Sequence, residues 1–205
     1  MIKEKPIIFS TLLIPAIQNL KPGTWPPEPI DPGKPWKWQT RRLVTAPCYK
    51  DKKSGKLLYQ DKNGERYPME KVCPYPPGTR LWVRETWSKD ENGEYVYRAN
   101  YGTTEDDSFP PSMFKWKPSI HMPREAARIF LEVKNGRVER LQAITEEDAT
   151  AEGMSKTLVD GVTFISAKGK FHALWDTLYA KRGHPWEQND WVWVYEFMRT
   201  EVSAP

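Results

Sequence analysis

Cysteine and histidine are scarce in this sequence. Cys48 and Cys73 lie far apart and form no Cys-x-x-Cys pair, and His121, His172 and His184 stand singly. Neither a disulfide framework nor a zinc site is indicated, and reduced thiols in a soluble cytoplasmic protein are the expectation. Long apolar runs are also missing. Ile7-Ile8-Phe9 and Leu12-Leu13-Ile14 are short and interrupted, so neither a membrane span nor a secretory signal is read there. Glycine numbers only 12, with no phosphate-cradling loop, and no serine sits in a nucleophile elbow. No charge sign dominates. The 31 Lys and Arg against 27 Asp and Glu leave a net +4, which permits contact with a nucleic acid or a phosphorylated ligand without requiring it.

Proline and tryptophan are abundant instead. With 19 Pro and 10 Trp in 205 residues, the chain points to an aromatic-rich, loop-rich architecture, of a size that one domain with insertions can fill. Strand patterns dominate. Residues 80–87 and 94–98 flank Asn92-Gly93 and predict a hairpin. Residues 128–133 and 137–141 flank Asn135-Gly136, the dipeptide best suited to a two-residue turn, and predict a second hairpin. The run 191–197 reads as a core strand. Trp82, Trp87, Trp191 and Trp193 are assigned to the core.

Helices are few and short. Thr145-Glu146-Glu147-Asp148 predicts a capping box, with Gly153 placed to end the helix near Glu152. Phe171, Leu174, Trp175 and Leu178 recur at helical spacing, and a third short helix is expected from Pro15 to Leu20. The Pro-rich residues 21–36 exclude a regular helix or central strand and predict a stiff surface loop carrying Trp25 and Trp36. Further loop-rich insertions are expected near 49–68 and 101–118.

The densest cluster of reactive side chains is Lys37-Trp38-Gln39-Thr40-Arg41-Arg42. By residue types alone it is a basic strand edge or a phosphate contact. Trp36 and Trp38 beside it are candidate stacking faces for a flat ring, and His121 is a candidate cleft residue. Glu85 reads as a structural partner of a neighbouring arginine.

The order KPIIFS, KWQTRR, LWVRETW, PSIHMP, a capped TEEDATAEGM segment and a closing WVWVYEF resembles the phage- and prophage-encoded branch of the ASCH family, over about residues 5–199. The resemblance implies an α+β fold, a PUA-like mixed β-barrel forming a single domain with a few flanking helices. It also implies a cleft for a nucleoside, a modified nucleobase or RNA, and no cofactor or metal. A small enzyme of that family removes an acetyl group from N(4)-acetylcytidine with a Lys, a Thr and a Glu. Its Lys-x-x-Thr-x-Arg pattern falls here on Lys37, Thr40 and Arg42, and its Glu on Glu152. This implies an amidohydrolase in which Lys37 activates Thr40 and Glu152 moves the proton, with Arg41, Arg42, Trp36, Trp38 and His121 toward the substrate. Arg42 is placed either on the oxyanion or on Glu152. A non-catalytic module binding RNA, single-stranded nucleic acid or a modified base is the alternative, and a ribonuclease a weaker third.

Overall fold

The computed structural model describes residues 4–101, 114–159 and 163–201. In chain order the regular elements are β1 (Glu4–Ile8), α1 (Ile14–Gln18), β2 (Gln39–Leu43), β3 (Cys48–Lys50), β4 (Leu57–Gln60), β5 (Arg66–Pro68), β6 (Arg80–Arg84), β7 (Trp87–Lys89), β8 (Tyr95–Tyr97), β9 (Phe130–Arg140), α2 (Glu146–Ala151), β10 (Thr157–Val159), β11 (Thr163–Ile165), α3 (Ala167–Tyr179) and β12 (Trp191–Thr200). The fold is mixed α+β, rich in strands with few short helices. Among the described residues no helix is long and apolar enough to cross a membrane.

The chain packs as two compact units. Among the described residues, one holds 4–38, 78–101, 114–132 and 198–201, the other 39–77, 133–159 and 163–197. In the first, β1 runs parallel to β6, and β6 pairs antiparallel with the first residues of β9, Leu81 facing Leu131. Leu81, Val83, Ile129 and Leu131 are fully buried there with Ile7, Ile14 and Ile17. The hairpin at Asn92-Gly93 forms as the sequence predicts, but its strands are β7 and β8; β6 ends before it. Asp90 shapes the turn by accepting from the backbone N–H groups of Asn92 and Glu94, and Gly93 supplies φ +84°. The motif around His121 anchors through its neighbour: Met122 is buried, and its sulfur accepts from the Glu85 N–H at 3.0 Å. Glu85 holds Arg128 through both carboxylate oxygens, at 2.9 and 2.7 Å, the structural role read from the sequence.

The Pro-rich segment 21–36 contains no helix or named strand, as its missing amide donors dictate. Asn19 secures it instead: its side-chain amide donates to the carbonyls of Asp31, Lys34 and Pro35 and accepts from the Asp31 N–H.

In the second unit the strand order is β9–β12–β2, with β12 antiparallel to β2. Leu141, Ile144, Ala149, Phe171, Trp175, Val192 and Val194 pack α2 and α3 onto this sheet. Helix α2 starts where the sequence places it, behind a Thr145–Asp148 capping box, and α3 starts behind the Ser166 hydroxyl, which accepts from the Gly169 N–H. Leu178, expected on the packed face of α3, is 42% exposed.

Two expectations are corrected. Residues 49–68 are not an irregular insertion but mostly an antiparallel meander, β3–β4–β5. The expected loop near 101–118 falls largely outside the described residues. The second correction concerns Asn135-Gly136, which makes no hairpin: β9 runs straight through it. Neither residue takes the positive φ that a two-residue turn requires. Gly136 is small for another reason, since a Cβ there would lie 3.4 Å from the Tyr195 ring and 3.7 Å from the Cys73 sulfur.

The two glycines should therefore respond oppositely. Gly136→Ala is expected to change unfolding free energy by less than about 0.5 kcal/mol while Gly136→Val, which drives methyls into Tyr195, costs about 1–3 kcal/mol. Gly93→Ala has open space but the wrong backbone, and should cost about 1 kcal/mol. Urea unfolding of the three variants checks this ordering.

Candidate functional site

The basic cluster of the sequence becomes the start of β2, and it is buried. Lys37, Gln39, Thr40 and Arg41 are each at most 4% exposed, as is Glu152 at the C-cap of α2. Cationic and acidic side chains resist burial unless partnered, so this concentration needs a physical account.

Strand alternation separates the cluster. Gln39, Arg41 and Leu43 face one way, opposite Glu196, Val194 and Val192; Thr40 and Arg42 face the other, opposite Tyr195 and Trp193. The first face is the one covered by α2 and α3. There the Arg41 guanidinium, with no side-chain exposure, meets three carboxylates. Nη1 donates to Gln39 Oε1 at 2.8 Å and to Glu152 Oε1 at 3.3 Å. Nη2 donates to Glu139 Oε1 at 2.5 Å and Asp148 Oδ2 at 3.0 Å. Asp148 thus does two things, since the same oxygen also accepts from the Thr145 N–H in the capping box.

The network continues outward through Arg137, which binds Glu139 through Nε at 3.1 Å and Glu196 through Nη1 at 2.5 Å and lies 3.5 Å from Asp148. Burial works against the Arg137 cation, but Glu139 and Glu196 outweigh it and raise its pKa.

On the opposite face the Trp193 and Tyr195 rings lie 6.0 Å apart and nearly parallel, at 13°. Burial pushes the Tyr195 phenol far above its usual range, with a further contribution from Cys73, whose sulfur lies 3.9 Å from the hydroxyl. On this side a cleft of about 420 Å³ lies between the sheet and the meander, lined by Trp193, Gly136 and Val138 and by Leu57, Leu58 and Met69. It is mainly apolar and of nucleoside dimensions.

The remaining sequence-derived candidates fall as follows. Lys37 belongs to the first unit, where its N–H donates to the Ala16 carbonyl at 3.0 Å and its ammonium stands 5.6 Å from the Phe9 ring centre. Trp36 and Trp38 are half-buried and cluster together at 6.5 Å, with Trp25 at 6.2 Å from Trp38, so the loop's indoles pack on one another. His121 is exposed in a 3₁₀ turn.

Arg41, placed toward the substrate in the sequence reading, has its terminal nitrogens engaged by protein acceptors. It holds Glu152, a part the sequence reading gave to Arg42 as one of two choices. Glu139 and Asp148 were not singled out as Arg41 partners. The alternation Arg137-x-Glu139 on β9 and the acidic first turn of α2 were the available signals.

No protein-family model, no curated protein and no solved structure matches this chain.

Replacing Arg41 by Leu leaves three carboxylates without their shared cation. Unfolding free energy should fall by about 3–5 kcal/mol, read by chemical denaturation. Arg41→Lys should recover only a minor part of it, because one ammonium cannot span acceptors placed for a planar fork.

Proposed function

We propose that the protein is an amidohydrolase that removes an acyl group from the exocyclic amine of a cytosine nucleoside or a related modified base. The observation that carries the reading is the burial of Lys37, Thr40 and Glu152, the three residue types that the ASCH resemblance assigns to this reaction, all at 3% exposure or less. Burial of such groups costs stability, and functional sites are among the places where it is retained. A closed PUA-like barrel belongs to the same proposal, as do a cytoplasmic location and a nucleoside partner.

The chemistry follows from the side chains. Thr40 attacks the acyl carbonyl, its proton passing to Lys37 when that side chain is the neutral amine. The tetrahedral intermediate collapses to an acyl-threonine ester and releases the cytosine amine, to which Glu152 shuttles the proton taken up by Lys37, a role that requires its carboxylate, held by Arg41 on the other face of β2, to turn toward Thr40. Water then hydrolyses the ester and restores Thr40. Arg41 sets the position of the Glu152 carboxylate, and the cleft beside Trp193, on the Thr40 face of β2, is the place proposed for the flat base, although Lys37, Thr40 and Glu152 are not among the residues that line it.

A second reading, a non-catalytic nucleic-acid or base-binding module, is favoured by a different feature. In the first unit Arg84 lies over the buried Trp82 at 4.7 Å, and Arg80 and Arg124, both also paired with Glu4, over the buried Phe130 at 4.9 and 4.5 Å, a group of guanidiniums of the kind that meets phosphates.

Incubation with N(4)-acetylcytidine, with cytidine and acetate measured, separates the two. The enzyme reading expects turnover that Thr40→Ala lowers by about 10²–10⁴-fold with unchanged circular dichroism, and that Glu152→Gln lowers comparably. Turnover unaffected by Glu152→Gln would confine Glu152 to the Arg41 network. Absence of turnover on this and other acylated cytidines, together with salt-sensitive RNA binding lost in Arg84→Ala, would favour the binding module.

A further inference from the structure

We infer that His172, Asp176 and Glu187 form a divalent-cation site on the second unit, independent of the chemistry proposed for Thr40. The two residues His172 and Asp176 stand one turn apart on α3, and Glu187 comes from the 3₁₀ turn Trp186–Gln188. His172 Nε2 lies 3.1 Å from Asp176 Oδ2 and 3.8 Å from Glu187 Oε1, and all three ligand atoms fall within 4.8 Å of one another.

These separations suit a metal. An ion about 2.0–2.2 Å from each donor holds neighbouring donors roughly 2.9–3.6 Å apart, depending on whether the angles are octahedral or tetrahedral. The His172–Asp176 pair already meets this. Glu187, with its side chain 74% exposed, closes the remaining gap, which is up to about 1 Å, by side-chain rotation.

Two of the ligands are held by a residue outside the set. The Trp186 N–H donates to Asp176 Oδ1 at 2.8 Å, which turns the other oxygen, Oδ2, toward the imidazole. The Trp186 ring stacks on the His172 ring at 4.7 Å and 24°. Support of this kind, fixing a carboxylate's free oxygen and a histidine's ring plane, is what surrounding residues provide at metal centres.

The donor set is one imidazole nitrogen and two carboxylate oxygens. With His172 neutral it carries two negative charges, matching a divalent ion of intermediate softness such as Zn²⁺, Co²⁺ or Mn²⁺. His172 and Asp176 are 39% and 34% exposed at their side chains, so water can complete the shell. Bound there, the ion ties the connection that precedes β12 to α3. The competing account is a simple i,i+4 ion pair between protonated His172 and Asp176, which needs neither Glu187 nor a metal.

The test uses the untagged, metal-stripped full chain, titrated with Co²⁺ by visible absorption and with Zn²⁺ by calorimetry and thermal unfolding. One ion per chain is expected, with a rise in Tm in excess Zn²⁺. Glu187→Gln and Asp176→Asn, the second able to keep the Trp186 hydrogen bond through its amide oxygen, should each weaken binding by about 10-fold or more and remove the Tm shift. Their Tm without metal should remain close to that of the parent chain. No binding and no Tm shift up to millimolar Zn²⁺ overturns the inference, and so does binding of equal affinity in both variants. Activity on acylated cytidines plays no part in this readout, so the two proposals fail separately.

Discussion

A guanidinium with no exposed surface has to be matched where it sits, and in the second unit Arg41 is matched by Gln39, Glu139, Asp148 and Glu152. These acceptors come from β2, β9, α2 and the end of α2. One planar cation therefore fixes the relation of a strand edge to a helix with directional bonds, where apolar packing alone tolerates slippage. The apolar contacts of Val194, Ala149 and Phe171 lie beside it, and their arrangement is consistent with the position the ion network imposes. Glu152 owes its orientation to that arrangement, so any chemistry assigned to it is inherited from a structural network.

Alternation along β2 is the second constraint. Because successive side chains leave opposite faces, Thr40 and Arg41 enter different environments although they are neighbours in sequence. Arg41 joins carboxylates under the helices, and Thr40 stands across from Tyr195 on the face with the Trp193 cleft. The same strand thereby carries the ion network, with Glu152, on one side and Thr40 on the other.

The first unit also pairs arginines with carboxylates, Arg128 with Glu85 and Arg80 and Arg124 with Glu4, and adds aromatic stacking. Its arginines lie over aromatic rings: Arg128 on Tyr97, Arg84 on Trp82, Arg80 and Arg124 on Phe130. Guanidiniums are weakly hydrated and planar, so stacking covers apolar surface without removing the charge from water. The aromatic excess of the sequence is used here as much for shielding the sheet as for filling the core.

What the sequence by itself determined was local. The capping box at Thr145, the Gly153 stop, the turn at Gly93, the apolar run of β12 and the irregular backbone of 21–36 each depend on a few adjacent residues, and each appears in the structure. The buried basic strand was legible as a cluster, but not which of its members faced which way. Tertiary structure decided the rest, because the deciding partner was distant in sequence. Tyr195 makes Gly136 a packing glycine instead of a turn glycine. Glu139 and Asp148 select Arg41 over Arg42 as the cation that meets Glu152. Trp186 holds Asp176 through its N–H and stacks on His172. In each case the local pattern left the outcome open, and a contact supplied by another element decided it.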